Sequence, residues 1–278
     1  MKRQRGMALL SVLLVLTLAL LLVEGLVRQQ RVTLAATTVY LDTLRLRQAL
    51  LDAEVRMLAE LPRWKNSKPG VVHSRQPWAQ PHAWALEDGT RLQGSITDLA
   101  GRFNLGWLAR PNGRARFERL VQALELTPVA LPEGKLLTWR EPSQARLLPG
   151  VTRPWLARFS PYVAWMPEAG RVNVNTVPAP VLASLGIPLD IARRLEDQAP
   201  AEGYATVQAW RGQPGLQGLP LQANDLAVGS RWFRLALTAR NGQRRLRLVT
   251  DVELAASDGR PRVLRRWIRT IDDEAPAP

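Results

Sequence analysis

Two histidines, His73 and His82, and no cysteine occur in 278 residues. Composition alone therefore removes thiolate nucleophiles, disulfides and cysteine-based zinc sites. Both histidines fall in a Pro-rich stretch, and the patterns H-E-x-x-H, G-x-x-x-x-G-K-[ST] and G-x-S-x-G are absent. The side-chain cluster that stands out is Asn173, Asn175 and Thr176, with Pro178 and Pro180 close behind. Asn and Thr oxygens accept backbone N–H bonds at helix starts and turns, so these residue types suit a scaffold that caps the next helix. With no nucleophile–base pair and no metal-ligand spacing, the chain is expected not to be an enzyme.

What must position that cluster is an ordinary folded domain. Apolar residues are 46% of the chain and charged ones 22%, enough to bury a core. Lys and Arg outnumber Asp and Glu by 38 to 24, a net charge of +14. Three readings of that surplus stay open: arginine as the default solubilising residue, a phosphate-binding surface, or contact with anionic lipid near the amino end.

The amino end reads "MKRQRGMALLSVLLVLTLALLLVEGLVRQQ". Met7 to Val23 carries no charge, and apolar character continues past Glu24 to Val27. At about 1.5 Å per residue this stretch is long enough to cross a bilayer, and Lys2, Arg3 and Arg5 place its start in the cytoplasm. No signal-peptide cut site follows. The sequence instead continues in helical register, with Leu34, Leu41, Leu44, Leu51, Val55 and Leu58 on one face. Residues 7–61 are expected to form one helix of roughly 80 Å, ended by Pro62. Its second half is expected to pack that leucine face on a folded partner.

Residues 62–82 read as an irregular connection rich in Pro and Trp. Two short strands are expected around Asp88-Gly89, and three more around Asn241-Gly242 and Asp258-Gly259. In the first of these three, Phe233, Leu235, Leu237 and Ala239 share a face. In the second, Leu246, Leu248, Val252 and Leu254 oppose Arg245, Arg247, Asp251 and Glu253. Between the β regions, "GRARFERLVQALEL", "PAPVLASLGIPLDIARRLEDQ" and "YATVQAW" have helical spacing.

The junction Gly6-Met7, a short basic leader directly before an apolar helix, resembles that of type IV pilins and pseudopilins. "GSITDLAGRFNLGWL", "YVAWMPEAGRVNVNTVPAPVLASL" and "VGSRWFRLALTAR" occur in the same order as in the general secretion pathway protein K family, the tip minor pseudopilins of type II secretion. The resemblance implies an α+β fold, with a pilin-like long N-terminal helix on an antiparallel β-sheet and a large, mainly α-helical domain inserted into the sheet region. The implied parts are a prepilin-type leader (1–6), the transmembrane and amphipathic helix (7–61), the first part of the β domain (62–103), the inserted helical domain (104–228), the C-terminal strands (229–272) and a disordered tail (273–278).

The resemblance also implies a function. A prepilin peptidase would cut after Gly6 and methylate Met7, taking the charge from +14 to +11 as Lys2, Arg3 and Arg5 leave. Ser11 falls where most such subunits carry the glutamate that meets a neighbour's amino terminus. A subunit with nothing ahead of it has no such partner for a carboxylate in lipid, and the Ser11 hydroxyl can bond back to a carbonyl one turn earlier. Implied partners are two other minor pseudopilins, the major pseudopilin, the peptidase and an inner-membrane assembly platform. Asn173, Asn175 and Thr176 would open the helical domain's core. No cofactor is required; calcium is carried by some relatives, and Asp98, Glu196, Asp197, Glu202 and Asp225 are available to it, though without EF-hand spacing.

A rival reading is a membrane-anchored helix-hairpin-helix protein that binds DNA, resembling competence receptors, with Arg193 and Arg194 beside the hairpin. Its hairpin here is Gly186-Ile187-Pro188, and the proline removes an amide that would face phosphate. The chain is therefore expected to bind no nucleic acid.

Overall fold

The apolar run and the amphipathic stretch after it form one helix, α1, Arg3–Lys65, in a computed structural model that describes residues 3–65, 70–132, 138–167, 170–255 and 259–271. Four residues past its expected end, the helix still holds. Pro62 sits in its last turn, where the fixed φ is already helical and only one hydrogen bond is forfeited. The chain divides into two compact units, residues 1–49 and residues 50–278.

In the first unit α1 is long and apolar enough to cross a membrane. Its large side chains from Leu10 to Val27 are exposed, and Thr17 Oγ1 donates to Leu14 O at 2.8 Å. Thr33, Thr37, Thr38 and Thr43 do the same one turn back, so these hydroxyls need no outside partner. Of Gly6, Met7 and Ser11 only the helical backbone is among the described residues.

In the second unit, β1 (His82–Ala85) and β2 (Arg91–Asp98) form the first hairpin, whose turn Thr90 N closes on Asp88 Oδ1 at 2.9 Å. Next comes a two-residue strand, β3 (Phe103–Asn104), and then α2 (Gly113–Ala123) and α3 (Arg153–Phe159). β4 (Val163–Ala164) and β5 (Val172–Asn173) precede α4 (Ala179–Ser184), α5 (Leu189–Asp197) and α6 (Val207–Arg211). After β6 (Leu226–Ala227) come the three long strands β7 (Trp232–Asn241), β8 (Arg244–Leu254) and β9 (Pro261–Thr270). The sheet order is β1-β2-β7-β8-β9, antiparallel throughout. Strands from both ends of the segment thus meet at β2–β7, and all of α2–α6 lies between them in sequence. The fold is α+β, with a helical block inserted into the sheet region. Asp258 and residues 272–278, which include the tail expected to be disordered, lie outside the described residues.

Two cores result. The larger joins Phe103, Trp107, Phe117, Phe159 and Trp210 inside the helical block, with edge-on aromatic pairs such as Phe117–Phe159 at 5.7 Å. The other lies under the sheet, where Phe233, Leu235, Leu237 and Ala239 are all fully buried, as their alternation requires. Two-residue parallel ladders, β3 with β4 and β5 with β6, connect the helical block internally.

Candidate functional site

The face of α1 that packs within residues 50–278 is not the leucine face expected from spacing. Leu50, Ala53, Glu54, Met57 and Leu61 are buried. Leu51 and Leu58 are half-buried flanks, and Val55 is 67% exposed. Leu34, Leu41 and Leu44 in the first unit are also exposed. The true seam is turned by one residue, about 100° around the helix. Its small and charged members, Ala53 and Glu54, hid it from a count of leucines.

Two contacts explain the choice. Gly94 on β2 lies so close to the helix that an added Cβ would meet Met57 Sδ and Leu237 Cδ2, each at 2.9 Å. Glu54, 1% exposed, accepts from the Thr250 hydroxyl and from Arg266 Nε at 3.0 Å. A second Arg266 nitrogen stands 2.9 Å from its other oxygen. A buried carboxylate needs such partners, and the sheet supplies them only where β8 and β9 pair Thr250 with Arg266.

The polar cluster of the helical block is equally buried. Asp98, at the end of β2 and 3% exposed, accepts from Ala100 N at 2.8 Å, Asn173 Nδ2 at 2.8 Å and Thr176 Oγ1 at 2.7 Å. Asn173 Nδ2 also donates to Val72 O at 2.9 Å, and its Oδ1 accepts from Asn175 N at 3.1 Å. Asn175 holds Tyr204 from both sides, accepting from Tyr204 N at 2.6 Å and donating to Tyr204 O at 3.1 Å. The cluster therefore ties the end of β2, the strand β5 and the loop before α6 together.

That corrects the capping expectation. The Ncap of α4 is Pro178, which offers no side-chain bond, and the first amide of the helix, Ala179 N, is accepted by Glu196 Oε2 at 2.8 Å. Asn173, Asn175 and Thr176 bridge segments far apart in sequence instead, because their side chains point inward from a strand end. Burial raises the Asp98 pKa above the ordinary carboxylate value, against the opposing pull of hydrogen bonds from Ser230, Thr176, Asn173 and Ala100. Sequence reading named the Asn and Thr residues but missed Asp98 as their hub, as no local pattern links it to residues 75 and 78 positions away.

Three of the five carboxylates named for calcium have partners within the chain. Asp98 is held as above, Glu196 serves Ala179, and Asp225 pairs with Arg116. Among the described residues no three Asp, Glu or His side chains converge. The DNA-binding reading is not favoured. α4 and α5 do form a helical hairpin, but the amides of Leu185 and Gly186 donate to Leu182 O and Ala183 O. With Pro188 lacking a donor, little backbone remains to hold a phosphate.

A long apolar helix that runs on to pack against an antiparallel sheet, with a helical block inserted into the sheet region, is a pilin-like arrangement. Protein K of the type II secretion system of Klebsiella pneumoniae is 31% identical over 283 residues, covering 83% of this chain and 84% of that protein; the Pseudomonas aeruginosa protein K is 27% identical over 95% of this chain and 92% of its own length. The chain belongs to the type II secretion system protein K family, whose family model matches residues 172–229, the part built around Asn173, Asn175 and Thr176. Its fold is similar to a chain in the crystal structure of the GspK-GspI-GspJ complex from the enterotoxigenic Escherichia coli type 2 secretion system. The TM-score is 0.70 at 19% identity, over 85% of this chain and 99% of that one.

Proposed function

We propose that the chain is the tip minor pseudopilin of a type II secretion system, initiating and capping the periplasmic pseudopilus that drives export of folded proteins across the outer membrane. The observation that carries this reading, beside the family, is α1: one unbroken helix through Gly6 and Met7 to Lys65, with exposed apolar side chains from Leu10 to Val27. Such a surface suits lipid first and neighbouring helices in a filament afterwards.

In this reading the peptidase removes residues 1–6 and N-methylates Met7. The chain crosses the inner membrane once, with its start in the cytoplasm and residues 50–278 in the periplasm. Ser11, in place of a glutamate, suits a subunit with no neighbour ahead of it. Two other minor pseudopilins complete the tip, a partnership supported by the three-protein complex of the similar structure. The major pseudopilin and the inner-membrane assembly platform follow. The role is structural rather than enzymatic, and the buried polar ties of Asp98 and Glu54 hold the head together.

Intact-mass spectrometry of the membrane-extracted protein tests the reading. The expected chain starts at N-methylated Met7 and co-purifies with the two other minor pseudopilins when the three are expressed together. An intact Met1, or a terminus beyond residue 27, overturns it.

A further inference from the structure

In an antiparallel pair the bonded positions of a strand alternate, so register tells which way each backbone group of β9 faces. Ile271 N donates to Arg245 O at 3.0 Å. The pairs Arg247–Arg269 and Val249–Trp267 are therefore the bonded ones. Thr270, Ile268 and Arg266, opposite Leu246, Leu248 and Thr250, turn their N–H and C=O groups away from β8. β9 is the last strand of its sheet, and no strand among the described residues pairs with that outer side. The start of β9 is guarded, because Pro261 lacks an N–H and the register shift at Asp251/Val252 leaves Leu264 as an extra residue. From Arg265 to Thr270 the strand is regular and its edge open.

Helix α1 flanks this edge. Met57 meets Gly94 and Leu237, on β2 and β7, whereas Glu54 meets Thr250 and Arg266, on β8 and β9. At 100° per residue, Leu58, Leu51 and Val55 continue that turn past Glu54 by about 40°, 60° and 100°. They carry an apolar flank of the helix to the side where the sheet ends. Leu51 and Leu58 are half-buried, and Val55 is 67% exposed. Ile268 shares the inner face with fully buried Leu248, yet at the open edge it stays only half-buried. Backbone donors along one side and an apolar wall along the other suit an extended chain.

We propose that this groove takes up one strand of another protein, added to β9 along residues 265–270. Its apolar side chains, at alternate positions, meet Ile268 and the flank of Leu51, Val55 and Leu58. Backbone pairing supplies the affinity, and the alternate side chains select the partner. Charge does not open the edge, since Arg262, Arg265 and Arg266 pair with Glu253, Asp251 and Glu54 within the chain. It does choose the occupant. Arg269, exposed on the other face opposite Arg247, meets no carboxylate among the described residues, so the incoming strand carries an acidic residue there. A second copy of the chain fits less well, because its β9 has no Asp or Glu to offer. The inference goes beyond the tip assignment and stands whether or not the leader is cut at Gly6.

The test uses the full-length chain in detergent and a labelled octapeptide with valine at alternate positions and glutamate or threonine between them. Binding is read by fluorescence anisotropy and by slowed amide hydrogen exchange across residues 265–271. Thr270→Pro deletes an N–H that faces away from β8, so Tm should stay within about 2 °C. Peptide affinity should fall about three- to tenfold, and native affinity in this variant overturns the proposal. Val55→Glu, on the exposed flank, should also weaken binding while stability holds; an unchanged affinity there removes the helix wall from the site and overturns it too. N-methylating one alternating set of the peptide's amides should abolish binding and the other set should spare it, a comparison made on the native chain and so independent of how the variants fold. Binding that survives both methylations, or that a peptide of the same composition with its valines in one block matches, overturns strand addition. So does a dimer seen by sedimentation without peptide and lost in Thr270→Pro, which would make a second copy the occupant. Removing residues 272–278 should leave the affinity unchanged; binding seen only after removal would make the chain's own terminus the occupant and refute an outside partner.

Discussion

Asp98→Ala perturbs the point where the end of β2 meets the helical block. The carboxylate accepts from Ala100 N, Asn173 Nδ2 and Thr176 Oγ1, and a Ser230 bond adds to these. The two hydroxyls can rotate to other acceptors, and Ser230 can turn its one proton to Trp232 O, 3.3 Å away. Ala100 N and one Asn173 proton cannot. Each buried donor left unmet costs about 1–3 kcal/mol, so the variant should lose about 2–6 kcal/mol. For a domain of this size that is a fall of about 4–24 °C in Tm, read by far-UV circular dichroism of the detergent-solubilised chain.

The pH dependence adds a second readout. Burial raises the Asp98 pKa in the folded state, so between the ordinary carboxylate value and the raised one the folded chain keeps a proton that the unfolded chain has released. Stability from this group is fully present below the ordinary value and is lost as pH rises through the raised one. The native chain's advantage over Asp98→Ala should therefore be largest in acid and shrink with rising pH. A Tm change within about 2 °C, or an advantage that grows with pH, would refute the reasoning; the latter would mean that the donors outweigh burial.

The rotated seam of α1 separates two substitutions five residues apart. Leu50→Ala should cost about 2–5 kcal/mol by leaving a cavity, because Leu50 is fully buried, while Val55→Ala should stay within about 0.5 kcal/mol; comparable losses by thermal melt would restore the leucine face. Gly101→Ala drives a Cβ to 2.6 Å from Thr176 O, so it should destabilise the chain by at least about 1–3 kcal/mol, and an unchanged denaturant midpoint would count against the close junction.

Much of the architecture was legible because it is written in local periods. The unbroken apolar run gave α1, and alternation about Asn241-Gly242 gave β7 and β8 with their buried face. Helical spacing marked α2, α4, α5 and α6. The functional family was also readable, from the Gly6-Met7 junction and from the stretch around Asn173. Tertiary structure decided the rest. Leucine spacing could not say which side of α1 meets the sheet, because the seam was chosen by the room above Gly94 and by the partners of Glu54, both far away in sequence. Asn173 and Thr176 looked like caps until Asp98 arrived from β2 to collect their donors. Arg91, Arg240 and Arg245 become neighbours through strand pairing alone. Local sequence sets what each segment can be, and long-range contacts set which of its faces is used.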